Sequence, residues 1–278
     1  MQIRQAGKSD TSDIAELISH SRFIHRHLDW QGVLDWLPYE PFFIVENDKK
    51  LLGLLACPSD PESVAWIRCF ACASNHDPAP IWEQLLKAVI TSPGLAHSTL
   101  YAVSLHDWFS ELLSNSNFSH FQNIVILKWK GQLPHPQPLN SSILIRPMEA
   151  SDINSVAELD RLAFEKMWVN TSDKITLAFN QAEHASVAEM EGRVIGYELS
   201  TANHFSAHLA RIAIHPDNQR SYVGSNLILE MFKYFLRRGI NQITVNTQDN
   251  NFSSLSLYQR CGFLQTGESL PVFCFPLG

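Results

Sequence analysis

The sequence lacks a basic excess, a long apolar run and a paired set of cysteines. Its net charge of −7 over 278 residues gives no electrostatic reason to bind nucleic acid or an anionic membrane surface. No apolar run approaches the roughly 20 residues that a membrane-spanning helix needs, and the first residues lack a signal-peptide core. The five cysteines are odd in number and scattered, which is typical of a reducing compartment. We therefore expect a cytoplasmic protein with no nucleic-acid partner and no membrane partner.

No set of side chains has the spacing of a metal site. Cys69 and Cys72 form a C-x-x-C pattern, but they fall in an apolar strand, where residues three apart face opposite sides. The sequence has no second cysteine pair at this spacing, so we expect no bound metal. His20, His25 and His27 cluster near the end of a predicted helix, without a carboxylate or thiol at metal spacing. We interpret these histidines as surface residues or as the rim of a substrate pocket.

The sequence indicates two copies of one domain. Residues 131–142 are rich in proline and polar side chains and have no apolar period, which indicates a linker. The segments on either side match weakly at an offset of about 142 residues. The matching positions are Arg4 with Arg146, Asp10 with Asp152, 51–53 with 194–196, and Arg68 with Arg211. We predict a first domain over 1–130, a linker over 131–142 and a second domain over 143–278.

Apolar periodicity in the second half predicts strands and helices in an alternating order. A strand at 144–146 precedes a helix from Asp152 through Phe164, and a second helix is predicted over 172–180. A hairpin over 186–199, a strand over 208–214 and a long helix over 226–238 follow. A strand, a short helix and two final strands around Pro271 complete the order. The first half repeats this plan with a single strand over 64–73, so we predict an α+β fold with a mixed, mostly antiparallel sheet in each domain.

Two segments of the second half carry the most specific signals. The strand ending at Ile214 runs through a polar turn into the long helix, and a helix N-terminus offers unpaired N–H groups for a phosphate. The later segment 251–263 fits the pattern N-x-x-A-x-x-L-Y-x-x-x-G-F, with Ser254 in place of alanine. Together the segments resemble the GNAT N-acetyltransferases, whose earlier loop reads Q/R-x-x-G-x-G/A. Gln219 and Gly224 fit that loop, and Tyr222 stands where its first glycine is expected.

The resemblance implies two tandem GNAT-like domains and acetyl-CoA as the cofactor of the second. Acetyl-CoA would lie between the strand that ends at Ile214 and the one that ends near Asn246, with the backbone of Ile212, Ala213 and Ile214 bound to its pantetheine arm. Backbone N–H groups would face the diphosphate along the loop and helix start, at Arg220, Ser221, Tyr222, Val223, Gly224 and Ser225. The Tyr222 ring either points away from this seat or covers it.

The resemblance also implies a catalytic role for Tyr258. A phenol near the cofactor sulfur can protonate the thiolate that leaves when an amine attacks the thioester. The alternative is that Tyr258 simply packs with Leu255 against the sheet. Asn251 is expected to cap the same helix, and its amide is also placed to reach the pantetheine.

The general base is the least specific part of the pattern. Some family members place a glutamate where this sequence has Asn246, which cannot accept the proton. Glu198 on one strand and His208 at the start of the next are candidates by location, and deprotonation through ordered water is the third possibility. No nucleophile suggests a covalent intermediate, so direct attack in a ternary complex is expected.

The first domain lacks the residues that acetyl-CoA chemistry requires. Its counterpart of the phosphate loop, 74–80, has two prolines, an added carboxylate and no glycine, and Leu113 stands near the position of Tyr258. We therefore expect a degenerate first domain. The predicted function is acetyl transfer to a primary amine on a small molecule or at a peptide N-terminus. A homodimer is the expected partner arrangement. The alternative is a non-catalytic CoA-binding sensor or scaffold, and the length of the acyl group stays open.

Overall fold

The computed structural model describes residues 1–277. The chain divides into two compact units: unit 1 comprises 1–122 together with the described residues from Leu270 onward, and unit 2 comprises 123–269. These boundaries differ from the linear division predicted from the sequence, because 123–130 lie in unit 2 and the last residues lie in unit 1.

The elements of the first part of the chain are short strands and three helices. In chain order they are β1 (Gln2–Gln5), α1 (Thr11–His20), β2 (Phe23–Arg26), β3 (Phe42–Asn47), β4 (Lys50–Ala56), β5 (Val64–Trp66), β6 (Cys69–Cys72), α2 (Pro78–Ile90), β7 (Thr99–Val103), α3 (Asp107–Asn115) and β8 (Ser119–Trp129). The single strand predicted over 64–73 is wrong, because the ladder changes partners at Ile67 and Arg68 and leaves two short strands, β5 and β6. No strand was predicted where β2 lies.

The remaining elements follow the predicted order more closely. They are β9 (Ile143–Pro147), α4 (Ile153–Ala163), α5 (Ser172–Gln181), β10 (His184–Met190), β11 (Arg193–Ala202), β12 (Ser206–Ile214), α6 (Val223–Arg237), β13 (Gln242–Gln248), α7 (Phe252–Arg260) and β14 (Phe263–Pro276). The helix predicted over 172–180 is confirmed by α5. The two final strands predicted around Pro271 are wrong, since β14 runs through that proline without a break.

Unit 1 contains two groups of paired strands. One group has the order β1-β3-β4-β6-β2, with every neighbour antiparallel. In the other, β5 runs parallel to β7, and β7 pairs antiparallel with residues 272–276 of β14. The core between α2, α3 and these strands is aromatic, with Phe70, Trp82 and Phe109 fully buried. Phe273 of β14 belongs to the same core, which explains why the last residues of the chain join unit 1.

Unit 2 contains strands in the order β9-β10-β11-β12-β13-β8. The pairing of β12 with β13 is parallel, and the other neighbours are antiparallel. Residues 124–128 of β8 form the edge beyond β13, and Leu127 and Trp129 are buried in the core under α6. This pairing is the physical reason why the residues after Gln122 belong to unit 2.

The two units repeat internal details at the offset noticed in the sequence. Arg4 donates to both carboxylate oxygens of Asp10, at 2.8 and 2.7 Å, and also contacts Glu46. In unit 2, Arg146 holds Asp152 in the same way and contacts Glu189. The strand register shifts just before each of these glutamates. An arginine bound through two parallel hydrogen bonds requires a fixed geometry, so its repetition reflects one local architecture used twice.

The structure also gives the length of the helices, the state of the cysteines and the surroundings of the histidines. Of the helices within residues 1–277, none is long and apolar enough to cross a membrane. All five cysteines are free thiols. Across the same described residues, no three histidine, cysteine or acidic side chains gather in a way that could hold a metal ion. The interpretation of His25 as a surface residue is wrong, because its side chain is fully buried.

Candidate functional site

A main-chain gap opens between the two parallel strands of unit 2. The pairing of β12 with β13 runs from Ser206 opposite Gln242 to Leu209 opposite Val245 and ends there. Beyond that point β12 stays paired with β11, and β13 stays paired with β8. Among the described strands, none pairs with the other side of β12 over residues 210–214. We call this stretch the open edge.

The residues predicted to bind the pantetheine arm lie on the open edge. Ile212, Ala213 and Ile214 each pair with β11 on one side and have no strand partner on the other. The side chains of Ile212 and Ile214 pack toward Val223 and Leu227 of α6, so they anchor the edge to the helix that follows. The main chain is therefore fixed while alternate backbone groups face the gap.

The turn between β12 and α6 has a left-handed backbone at two residues, a conformation that glycine adopts most easily. Arg220 and Tyr222 both have a φ of +61°. This left-handed region is uncommon for residues with a side chain, and glycine enters it at no steric cost. Tyr222 therefore keeps the conformation of a glycine position without being a glycine. Its side chain is 47% exposed, so the ring is not part of the core.

Side-chain and backbone contacts hold the start of α6 in place. The Ser221 hydroxyl donates to the carbonyl of Asn218. The backbone N–H and the side-chain amide of Asn226 both donate to the carbonyl of Tyr222, at 3.1 and 3.0 Å. The first N–H groups of a helix have no acceptor within the helix, so those of Val223, Gly224 and Ser225 are the donors at this end.

Gly224 lies in close contact with a neighbouring helix. A Cβ atom at this position would lie 3.0 Å from Cδ2 of Leu257 and 3.6 Å from Cγ1 of Ile214. The glycine thus lets α7 approach both the start of α6 and the open edge. This close approach brings the helix that carries Tyr258 beside the gap.

Tyr258 lies in an apolar environment with one nearby positive charge. Its side chain is 4% exposed, and its ring packs edge-on against Phe263 at 5.8 Å between centroids. Burial raises the pKa of the Tyr258 phenol, and a hydrogen bond from Ser254 and the charge of Arg211 oppose that rise. The phenol therefore carries its proton at neutral pH. Asn251 caps the same helix as predicted, because its Oδ1 accepts from the Ser254 N–H at 3.1 Å.

Arg211 belongs to a buried polar cluster that sequence reasoning missed as part of the site. Its Nε and Nη2 donate to the two oxygens of Asp160 at 2.7 and 2.8 Å, and Nη2 also donates to the carbonyl of Trp168 at 2.6 Å. The guanidinium lies 3.6 Å from the ring centre of Phe164. Tyr197 donates its hydroxyl hydrogen to Asp160, and burial followed by the Asp160 charge raises the Tyr197 pKa. The only sequence signal was the match of Arg211 with Arg68.

Glu198 lies on the other face of the sheet from that cluster. It follows Tyr197 in β11, and adjacent strand residues face opposite sides. Its carboxylate is fully buried, with His184 Nδ1 at 2.7 Å, and with hydroxyl hydrogen bonds from Ser186 and Ser200. The His184 ring packs on Tyr234 of α6. None of these hydrogen bonds leads to Tyr258 or Arg211.

His208, the second candidate base, lies where the gap closes. It is opposite Thr244, one residue before the last pair of β12 and β13. Its Nδ1 and the Thr244 hydroxyl are 2.9 Å apart. Burial lowers the pKa of His208, so the imidazole is held neutral and able to accept a proton. The structure thus puts the open edge, the α6 start, Tyr258 and His208 in one region of unit 2, and places the Glu198 carboxylate on the face opposite Arg211, next to His184.

Residues 153–263 match the family model described as "Acetyltransferase (GNAT) family". The match lies within unit 2, and this part of the chain is similar to the GNAT acetyltransferases. One relative is an uncharacterized N-acetyltransferase from Methanocaldococcus jannaschii, 24% identical over 124 residues, which are 44% of this chain and 78% of the relative. Another is the ribosomal protein bS18 alanine N-acetyltransferase of Escherichia coli, 25% identical over 121 residues, 43% of this chain and 79% of that protein.

The whole chain shares its fold with a tandem GNAT protein. The solved structure of the tandem GNAT protein from the clavulanic acid biosynthesis pathway is 12% identical, with a TM-score of 0.67. The alignment covers all of this chain and 98% of that one. The predicted α+β class with two GNAT-like domains is therefore confirmed.

Proposed function

We propose that unit 2 is an acetyl-CoA-dependent N-acetyltransferase that acetylates a primary amine by direct attack in a ternary complex. The observation that carries the proposal is the open edge of β12, which ends at the left-handed turn and the first amides of α6. A groove with unpaired backbone groups along its wall and N–H donors at its end fits an amide-containing arm that terminates in a diphosphate.

The residues present fit acetyl-CoA at both ends of the groove. The backbone of Ile212, Ala213 and Ile214 would hold the pantetheine arm as a neighbouring strand would. The N–H groups of 220–225 would hold the diphosphate, and Arg220, which is exposed, would add a charged contact. When bound, acetyl-CoA supplies a thioester as the acetyl donor.

Tyr258 and His208 are the groups we assign to proton movement. The Tyr258 phenol stays protonated because it is buried, so its Oη would donate a proton to the leaving sulfur. The neutral His208 imidazole, at the closed end of the gap, would take the proton from the amine directly or through water. Glu198 is a weaker candidate, since its carboxylate already accepts from three side chains, those of His184, Ser186 and Ser200.

The acceptor is a primary amine, and we favour the N-terminus of a peptide. One relative is named for an alanine of a ribosomal protein, which supports this class without fixing the sequence. A CoA-binding sensor or scaffold without catalysis was the alternative. The match to an acetyltransferase family over the segment that carries Tyr258 favours acyl transfer instead. We place the activity in the cytoplasm, where free thiols such as those of this chain persist.

The test compares Tyr258→Phe with the unchanged protein in two measurements. Calorimetry with acetyl-CoA should give the same affinity for both proteins, because the ring keeps its packing. The turnover of a peptide with a free N-terminal alanine should fall by roughly 10²–10⁴-fold, the contribution of a general acid. Tyr39→Phe, in unit 1, is the matched control and should keep full turnover.

Three outcomes would contradict the proposal at different levels. Full turnover by Tyr258→Phe would show that the phenol only packs in the core. Failure of the unchanged protein to bind acetyl-CoA would remove the proposed function itself. Binding without turnover over a broad panel of amines would favour the sensor.

A further inference from the structure

The strand of unit 1 that corresponds to the open edge of β12 is paired with other strands on both of its sides. In both units a short parallel ladder precedes the point where two strands separate: β5 with β7 in unit 1, and β12 with β13 in unit 2. Arg68 follows β5 as Arg211 follows the last parallel pair of β12, and the two arginines are matching positions of the repeat. β6 therefore corresponds to the part of β12 that borders the gap.

Both sides of β6 are occupied by strands of unit 1 itself. On one side β6 pairs with β4, as β12 pairs with β11. On the other side it pairs antiparallel with β2, from Phe23 opposite Cys72 to Arg26 opposite Cys69. That is the side on which β12 has no partner. The main-chain groups that a pantetheine arm would need are thus used by residues 23–26.

The side chains of β2 are built into the core between β6 and α3. The ring of His25 stacks on Phe109 of α3 at 4.1 Å between centroids, and its Nε2 lies 3.2 Å from the Ile67 carbonyl. Phe23 packs edge-on against Trp108 at 5.4 Å. α3 is the counterpart of α7, so these contacts fill the region that lies beside Tyr258 in unit 2.

Three further contacts fasten the ends of β2. After the strand, the His27 N–H donates to the Arg68 carbonyl at 2.9 Å, and the carboxylate of Asp29 forms a 2.8 Å ion pair with Arg68. Both side chains of this pair are buried. Before the strand, the Arg22 N–H donates to the hydroxyl of Ser74, the first residue of the former phosphate loop.

Unit 2 uses the corresponding stretch of chain differently. The segment between α1 and β3, residues 21–41, forms β2 and a coil with one short 3-10 turn. The segment between α4 and β10, residues 164–183, is of nearly the same length and forms α5 instead. In the first unit the chain lies on the strand edge, and in the second it leaves the edge free.

We propose that β2 is an intramolecular substitute for the pantetheine arm, so that unit 1 takes no cofactor and each chain binds one acetyl-CoA. The statement about stoichiometry rests on the function proposed for unit 2. The statement about β2 does not, because it concerns a groove that the chain fills by itself.

Residue-resolved amide hydrogen exchange tests the two statements separately. In an antiparallel ladder alternate amides face alternate neighbours. We therefore expect consecutive residues of 69–72 to exchange slowly in the free protein, and only alternate residues of 210–214 to do so. Acetyl-CoA should slow the remaining amides of 210–214 and leave 69–72 unchanged, and calorimetry should give one site per chain.

Asp29→Asn, with Asp10→Asn as its matched control, tests the fastening of β2. Both variants break an aspartate–arginine pair in unit 1, and only the Asp29 pair is buried on both sides. Asp29→Asn should speed exchange at least tenfold at the β6 amides that face β2, and Asp10→Asn should not single them out.

Three results would overturn the proposal about β2. They are fast exchange at alternate residues of 69–72 in the free protein, a change there on adding acetyl-CoA, and a second binding site in calorimetry. If acetyl-CoA does not bind at all while 69–72 remain fully protected, the function proposed for unit 2 fails and β2 still fills its groove.

Discussion

Tyr222 shows how a single residue can depart from a family pattern and keep its geometry. A side chain in the left-handed region costs roughly 1 kcal/mol relative to glycine. The surrounding contacts, in which Asn226 holds the Tyr222 carbonyl twice, maintain that conformation. The sequence identified the position as a departure, but it did not reveal that the backbone stays glycine-like, because backbone angles depend on the whole turn.

Burial of His25 predicts a loss of stability in acid. Burial lowers the pKa of His25 to about 4 from an ordinary value near 6.5. The folded state thus favours the neutral ring, and this contribution is present above about pH 6.5 and is lost as the pH falls toward 4. Between pH 7 and pH 4.5 the free energy of unfolding should drop by about 2 kcal/mol on this account.

His25→Phe, followed by denaturant unfolding over the same pH range, measures that contribution. The variant keeps an aromatic ring against Phe109 but cannot be protonated. Its stability should fall less steeply with acid than that of the unchanged protein. Equal slopes for the two proteins would mean that His25 is not the group that titrates.

At the level of elements, a glycine allows α2 to pack on β4. A Cβ atom on Gly53 would lie 2.4 Å from Cγ2 of Ile81 and 3.0 Å from the carbonyl oxygen of Ala71. The backbone oxygen cannot move without disturbing the pairing of β4 with β6. We expect Gly53→Ala to destabilise unit 1 by about 1–3 kcal/mol through overpacking.

Gly94→Ala is the matched control for that substitution. No atom lies within 4 Å of its added Cβ, so thermal or denaturant unfolding should show little loss. A Gly53→Ala protein as stable as the control would indicate that α2 can shift away from the strand without cost.

Elements with a strong apolar period were the ones the sequence located. The apolar period of α6 indicates a helix and the alternation across 186–199 indicates paired strands. Both were predicted within a few residues of their observed bounds. β2 has only four residues, and its strand conformation depends on β6 and on the ring of Phe109, which are distant in sequence. Pairing with a distant segment produces no periodic pattern in the local sequence, so neither β2 nor the break between β5 and β6 was predicted.

The same reasoning explains the candidate site. Tyr258, Asn251 and the α6 loop were visible because their spacing is local. The cluster of Arg211 with Asp160 and Tyr197 joins three elements, and its members are held together only by the fold. Glu198 looked equivalent to His208 in sequence, yet the alternation of β11 puts its carboxylate on the face opposite Arg211, where His184, Ser186 and Ser200 contact it.

At the level of the whole molecule, unit 1 takes strand residues from the far part of the chain, whereas unit 2 is one continuous segment. Truncation after Ser269 should therefore damage unit 1, although the deleted residues adjoin unit 2 in sequence. It removes the partner of β7 over 272–276 and the buried side chains of Phe273 and Leu277. We expect unit 1 to lose at least about 3 kcal/mol, the cost of deleting one buried aromatic side chain.

Limited proteolysis with mapping of the cleavage sites can measure that effect. Cleavage should appear first within residues 1–122, and the fragment 123–269 should persist. Earlier cleavage within 123–269 would contradict the assignment of the last strand to unit 1. The linear boundaries predicted from the repeat missed this arrangement, because pairing between distant strands has no signature in either strand alone.

Because residues 270–277 belong to unit 1, the chain order also sets an order for folding on the ribosome. Translation supplies every residue of 123–269 before it supplies 270–277, so unit 2 acquires all its strands first. Unit 1 waits with one side of β7 unpaired and an open aromatic core until 270–277 emerge. A chaperone that protects exposed apolar surface would therefore be needed most by the half that is made first.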